Sequence, residues 1–199
     1  MGQYIALHPH LVKNKRVLEL GSGVGLLGLL TAQLGVESIT LSEYGRDQGV
    51  LIANDFESEA INEIITNDRL MPTALISNLR YNVRLNGLTD KVNVRHIDWY
   101  DYLPQKNHMR SELDSSYDLI IGSDLINWED DVEALVSTLQ YFTELNKCPV
   151  LISLQDDNRK GVPVFISQIE KAFPGQVKIP KYSLQHYDLT NLLMIFIGF

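Results

Sequence analysis

Arg16-Val17-Leu18-Glu19-Leu20-Gly21-Ser22-Gly23-Val24-Gly25-Leu26-Leu27-Gly28 is the stretch that decides the fold class. Its first five residues read as a short apolar strand running into glycines, and Leu26 to Leu34 is long and apolar enough for a buried helix. Gly35 reads as the C-cap of that helix, and Ser38 to Glu43 supplies a second strand through its β-branched content. A βαβ unit is therefore complete by residue 43.

Outward from this unit, Tyr44 to Pro72 is polar, irregular and longer than a normal connection, so an insertion is expected at about 44–72. Thr73 to Gly87 predicts a helix with Leu75, Leu79, Val83 and Leu85 on its buried side. Val92 to Asp98 alternates as a strand, Tyr117 to Ser123 reads as a buried one, and a crossover lies between them. Val132, Leu135, Val136, Leu139 and Phe142 recur at helical spacing within Asp131 to Leu145. A strand at Val150 to Leu154, a helix at Val164 to Phe173 and two late strands, around Val177 to Leu184 and Leu192 to Gly198, complete the chain. This alternation predicts a single α/β domain over residues 1–199: a Rossmann-like, doubly wound, mostly parallel seven-stranded sheet. The closing pair of strands has no helix between them, so the last one is expected to run antiparallel.

Composition narrows the function classes. The 199 residues, 45% of them hydrophobic, supply one core. No segment approaches the roughly twenty apolar residues that a membrane-spanning helix needs. The first residues lack a basic region followed by an apolar core, and the single cysteine, Cys148, cannot form an intramolecular disulfide. A reducing compartment, the cytoplasm and also the nucleus, is expected. The net charge of −8 argues against non-specific nucleic-acid binding and suits a basic protein or peptide partner, although ordinary soluble domains also carry such a charge. His8, His10, His96, His108 and His186 show no metal-ligand spacing with Cys148, so no metal is expected.

The glycine loop by itself leaves two cofactors open, because Gly23-x-Gly25-x-x-Gly28 also satisfies the dinucleotide fingerprint of nicotinamide enzymes. Glu19 tilts the choice toward S-adenosylmethionine: a carboxylate at the mouth of the first strand repels a pyrophosphate but holds a cationic amino group, directly or through water. Glu43 closes the second strand, where it can accept both hydroxyls of a ribose in either cofactor. Beyond the third strand, Asp98 can accept from an adenine amino group and Trp99 can cover the base.

Leu18 to Leu26, Asn78 to Gly87, Ile97-Asp98-Trp99 and Gly122-Ser123-Asp124-Leu125-Ile126, taken in order, resemble the seven-β-strand protein lysine methyltransferases. These include the calmodulin-lysine, elongation-factor-lysine and valosin-containing-protein lysine methyltransferases. The resemblance spans about residues 5–155 and implies a class I methyltransferase fold with S-adenosylmethionine-dependent methylation of a protein side-chain nitrogen, lysine foremost. Carried over by position, cofactor contacts fall on Gly21, Ser22, Gly23, Glu43, Trp99 and Ser123, to which strand position adds Glu19 and Asp98. The family places a tryptophan segment before the stretch equivalent to Gly2-Gln3-Tyr4, upstream of where this chain begins. Its acidic motif ends in tyrosine three residues after the aspartate, where this chain has Asn127 and then Trp128.

Asp124 and Asn127 are the expected catalytic pair. Asp124 would bind and orient the substrate amine, and the Asn127 amide oxygen would accept from the attacking nitrogen without stabilising its charged form. Trp128 would wall the channel. The plainer reading of Asn127-Trp128-Glu129-Asp130 is a helix N-terminus with Asn127 as cap. A monomer acting on protein is expected. Two other function classes fit the same features: a non-catalytic interaction protein of this fold, and an NAD-dependent oxidoreductase.

Overall fold

The computed structural model describes residues 1–44, 71–106, 114, 116–155, 159–180 and 192–199. Its seven strands are β1 (Arg16–Leu20), β2 (Ser38–Glu43), β3 (Val92–His96), β4 (Leu119–Ser123), β5 (Val150–Gln155), β6 (Val177–Lys178) and β7 (Leu192–Ile197). They form one sheet in the order β3-β2-β1-β4-β5-β7-β6. Strands β1 to β5 are parallel, and β7 enters antiparallel between β5 and β6.

Among the described residues the α-helices are α1 (Gly2–Leu7), α2 (Leu26–Ala32), α3 (Met71–Leu85), α4 (Val132–Asn146) and α5 (Gly161–Ala172). They cover both faces, as a parallel sheet requires. On one face Leu18, Leu20, Ile120 and Ile152 pack with Leu139 and Phe142 of α4 and Phe165 of α5. On the other, Val17, Leu41, Ile121 and Leu151 pack with Leu27 of α2 and Leu79 of α3. Successive residues of β1 thus serve opposite cores, the period of two that a strand imposes.

Four details depart from the sequence-based expectation. Helix α3 begins at Met71, two residues inside the stretch read as an insertion, of which 45–70 lie outside the described residues. Ile76, Leu79 and Val83 form its buried stripe, whereas Leu85 is 69% exposed and Leu75 half-buried. Leu85 sits two residues past Val83, a rotation of about 200° that carries it away from the sheet. Helix α5 starts at Gly161, earlier than expected, and of the strand sought around Val177 to Leu184 only Val177–Lys178 is strand among the described residues.

Gly28 sets how closely α2 lies on the sheet. A Cβ there would overlap the Leu41 side chain of β2 and Oε2 of Glu19 on β1, both buried. Gly28→Ala is expected to cost about 1–3 kcal/mol by overpacking, read as a lower urea midpoint at unchanged slope; an unshifted midpoint would mean that α2 can lift off the sheet freely.

Candidate active site

A cavity of about 590 Å³ opens beyond the carboxyl ends of β1 to β4. The chain order reverses between β1 and β4, and in open parallel sheets such a switch point is where ligands bind. Gly21 forms part of the cavity wall, with Glu43 and Tyr44 at the end of β2. Ile97, Asp98, Trp99 and Tyr100 continue it beyond β3, and Asp124, Leu125, Asn127 and Asp131 complete it between β4 and α4.

The glycine loop is shaped by its backbone. Gly21 and Gly23 adopt φ of 60° and 55°, the left-handed region that a side chain disfavours, and at Gly23 a Cβ would meet nothing within 4 Å. Three contacts hold the loop in place. The Ser22 N–H donates to the Ser42 carbonyl at 2.9 Å, the Gly23 N–H to Oε2 of Glu43 at 2.6 Å, and Nδ2 of Asn82 on α3 to the Val24 carbonyl at 2.8 Å. Oε1 of Glu43 accepts from the Tyr44 N–H at 2.9 Å. Both Glu43 oxygens therefore bind backbone, and each retains a lone pair for a ligand hydroxyl.

Beyond β3, the Asp98 carboxylate accepts from the Tyr100 N–H at 3.0 Å and caps a 3₁₀ turn, Trp99–Tyr102. That turn lays the half-buried Trp99 ring over Gly21, where a Cβ would stand 3.5 Å from it. The Tyr100 hydroxyl donates to Oδ1 of Asp131 at 2.9 Å, joining the β3 side of the cavity to the approach to α4.

Glu19 departs most from expectation. The alternation of β1 turns it toward α2 and not to the open strand mouth, leaving it 2% exposed, with Oε2 buried and without a hydrogen-bond partner. Burial pushes its carboxyl up to about 8, the nearby Glu43 charge adds to the rise, and the Ser22 hydroxyl and Gly28 N–H oppose it. Glu19 does not line the cavity, nor do Ser22, Gly23 and Ser123. Ser22 is buried, and Oγ of Ser123 lies 3.1 Å from Oγ of Ser153 on β5.

Of the expected residues, the cavity gathers Gly21, Glu43, Asp98, Trp99, Asp124 and Asn127. Asp124 has φ of 57°, and its N–H donates to the Ser153 carbonyl at 2.7 Å. Its Oδ1 pairs with Nη2 of Arg159 at 2.5 Å. The Asn127 amide oxygen, expected to face the attacking nitrogen, lies 3.4 Å from Nη1 of Arg159. Asn127 is not a helix cap either: Trp128 precedes the 3₁₀ turn Glu129–Asp131, Asp131 precedes α4, and neither makes a side-chain cap. Trp128 is 74% exposed and stands outside the cavity wall.

Sequence reasoning missed Arg159 together with Tyr44, Ile97, Tyr100, Leu125 and Asp131. The rule that ligands lie beyond strand carboxyl ends, applied to β5 as well, would have drawn attention to the residues after Gln155. Tyr102 and Lys106 do have the Tyr-x-x-x-Lys spacing of short-chain dehydrogenases. Tyr102, however, is buried against Tyr141 and Phe142, and burial raises its phenol pKa further, so it cannot serve this cavity. Among the described residues there is no cluster of three His, Cys, Asp or Glu able to hold a metal ion, and no helix long and apolar enough to cross a membrane.

The family model described as lysine methyltransferase matches residues 3–172. The protein-lysine N-methyltransferase EFM6 of Saccharomyces cerevisiae is 27% identical over 189 residues, covering 91% of this chain and 66% of that protein. The protein N-lysine methyltransferase METTL21A of Danio rerio is 26% identical over 171 residues, covering 83% of this chain and 60% of that one. The chain thus spans less than two thirds of the length of these relatives. Among solved structures, a putative rRNA-methylase from Clostridium thermocellum aligns with a TM-score of 0.59 at 11% identity, over 98% of this chain and 93% of that one, a likeness of fold.

The buried Glu19 carboxyl gives a pH signature. Its folded-state value of about 8 lies above the ordinary 4.5, so its contribution to stability is full below about pH 4.5 and is lost as the pH rises through about 8. Glu19→Gln removes this titration. The variant's stability relative to the unsubstituted protein should grow across that window by an amount on the order of several kcal/mol, measured by denaturant unfolding; a pH-independent difference would show that Glu19 folds ionised.

Proposed function

The chain belongs to the lysine methyltransferase family, and from that premise we propose that it transfers a methyl group from S-adenosylmethionine to a lysine side chain of a protein substrate. One observation carries this reading: the switch-point cavity brings bare glycine backbone, Glu43, Asp98 and Trp99 together with Asp124 and Asn127.

The donor set fits the cofactor. Gly21 lies against Leu125 and the Trp99 ring, which with Ile97 offer an apolar surface for a base. Glu43 has acceptor capacity for ribose hydroxyls, and Asp98 for an exocyclic amino group. Four carboxylates, Glu43, Asp98, Asp124 and Asp131, face the cavity and favour a cationic ligand over a pyrophosphate, which weighs against a dinucleotide. Glu19 acts beneath the loop, supporting α2 and the glycine turn without touching the ligand.

S-adenosylmethionine, when bound, supplies an activated methyl group open to in-line displacement. The protein's part is to deliver a neutral amine. A lysine with an ordinary pKa of about 10.4 must lose a proton to water before attack, and partial burial against Leu125 favours that loss. Asp124 draws the cationic side chain in and orients it. The acidic cavity and the net charge of −8 suit a basic segment of a partner protein and disfavour nucleic acid. The proposal includes a monomer working in the cytoplasm and the nucleus.

A non-catalytic reading has one observation in its favour: the Asp124 carboxylate is already paired with Arg159. Incubation of a cell lysate with methyl-labelled cofactor and the purified chain, followed by mass spectrometry, separates the two. Methyl-lysine on a discrete protein supports the enzyme, and cofactor binding without label supports the scaffold.

Two substitutions test the roles of the residues. Glu43→Ala is expected to weaken S-adenosylmethionine binding by about tenfold to a hundredfold, the loss of a charge-assisted hydrogen bond, in a calorimetric titration; equal affinity would remove Glu43 from the ribose site. Asp124→Ala should keep the affinity for S-adenosylhomocysteine while methyl transfer falls by about a hundredfold or more, and unchanged turnover would take Asp124 out of the reaction.

A further inference from the structure

Arg159 follows β5, precedes α5, and belongs to neither the glycine loop nor the acidic motif. Its side chain is 18% exposed. Nη2 donates to Oδ1 of Asp124 and, at 2.9 Å, to the Gln155 carbonyl. Nη1 donates to the Ile126 carbonyl at 2.8 Å and lies 3.4 Å from Oδ1 of Asn127. One rigid fork therefore spans the loop from 124 to 127 and ties it to the end of β5.

The side from which it does so matters. Asp124 and Asn127 line the cavity and Arg159 does not, so the cation stands behind the two residues that face a ligand. Gly161 brings the segment that close: a Cβ there would press on Ile126 and on the Trp128 carbonyl. Asp124 is 52% exposed, so its charge reaches the cavity unless something balances it.

We propose that Arg159 is a positioning residue that balances the Asp124 charge from behind and so sets how strongly the acceptor end of the cavity holds a cation. This rests on the methyltransferase reading above. An unbalanced Asp124 would stabilise a lysine ammonium and delay its deprotonation. With Arg159 in place the loop still orients the amine, and the neutral form costs less to reach.

S-adenosylmethionine and S-adenosylhomocysteine differ by one methyl group and one positive charge, so their relative affinities report the charge of the cavity without turnover. Dissociation constants for both ligands are to be measured by calorimetry on the full chain and on Arg159→Gln, Asp124→Asn, the double variant and Arg159→Lys. The preference for the cationic ligand should rise about fivefold in Arg159→Gln, since an unpaired carboxylate several ångströms away contributes that much under screening. It should fall by a similar factor in Asp124→Asn, return to the original value in the double variant, and stay within about twofold in Arg159→Lys, which keeps the charge. With a protein substrate bound, the rising limb of kcat against pH should move to higher pH in Arg159→Gln.

A residue that merely staples the loop would lower the melting temperature and leave the preference of Arg159→Gln equal to that of the unsubstituted chain; that result overturns the proposal. Should Arg159→Gln fail to fold, Arg159→Met, which loses the charge and keeps an unbranched stem, decides it by the same rise in preference. If neither ligand binds the unsubstituted chain, the cofactor reading falls and this inference with it, whereas binding with an invariant preference removes this inference alone.

Discussion

The contact between the Glu43 carboxylate and the Gly23 N–H, 2.6 Å long, joins the end of β2 to the loop leaving β1. Strand ends in a parallel sheet expose N–H groups that no neighbouring strand can accept, and a buried donor left unpaired is costly. Glu43 satisfies two such donors with one side chain, since Tyr44 uses its other oxygen. With β1 and β2 in register, the Ser22 N–H finds the Ser42 carbonyl and the Ser42 hydroxyl finds the Glu19 carbonyl. The loop is thereby held low against β2, with Gly21 at the cavity wall. Remove this stitching and Gly21 no longer presents bare backbone to the Trp99 ring.

A second constraint comes from the opposite side of the same strand. Because β1 feeds two cores, Val17 and Glu19 must face α2 while Leu18 and Leu20 face α4. Apolar side chains satisfy three of these positions. The fourth places an ionisable group under a helix, where Gly28 leaves just enough room for it. The acid that a reader of the sequence assigns to the ligand is therefore part of the foundation beneath the loop.

The architecture was legible because alternation of apolar strands with helical stripes leaves few arrangements, and β1, β2 and α4 carry unbroken patterns. The closing strands, read with no helix between them, likewise announced the antiparallel one. Site residues were legible where a strand end fixes their place, as with Glu43, Asp98, Trp99 and Asp124. Legibility failed where a side chain's direction decides the matter. Whether Glu19 points along the strand axis or into the core depends on the parity of β1, and Leu85 turns outward by a rotation that a list of apolar residues conceals. The Arg159 fork escaped for another reason: its acceptors among the described residues are spread over residues 124–127 and 155, so the strand-end rule points to the segment but no local spacing announces the fork.

The position of β7 bears on how the chain is made. Residues 192–197 are the last strand in chain order, yet they lie inside the sheet, between β5 and β6. As the polypeptide leaves the ribosome, β5 keeps one flank unpaired through the synthesis of α5 and β6, and that flank carries Val150, Leu151 and Ile152. An open apolar edge invites pairing with other chains, and pairing across about forty residues of separation is slow. The open flank of β5 is thus most exposed to aggregation in the interval just before β7 emerges, which is when a chaperone would have the most to protect.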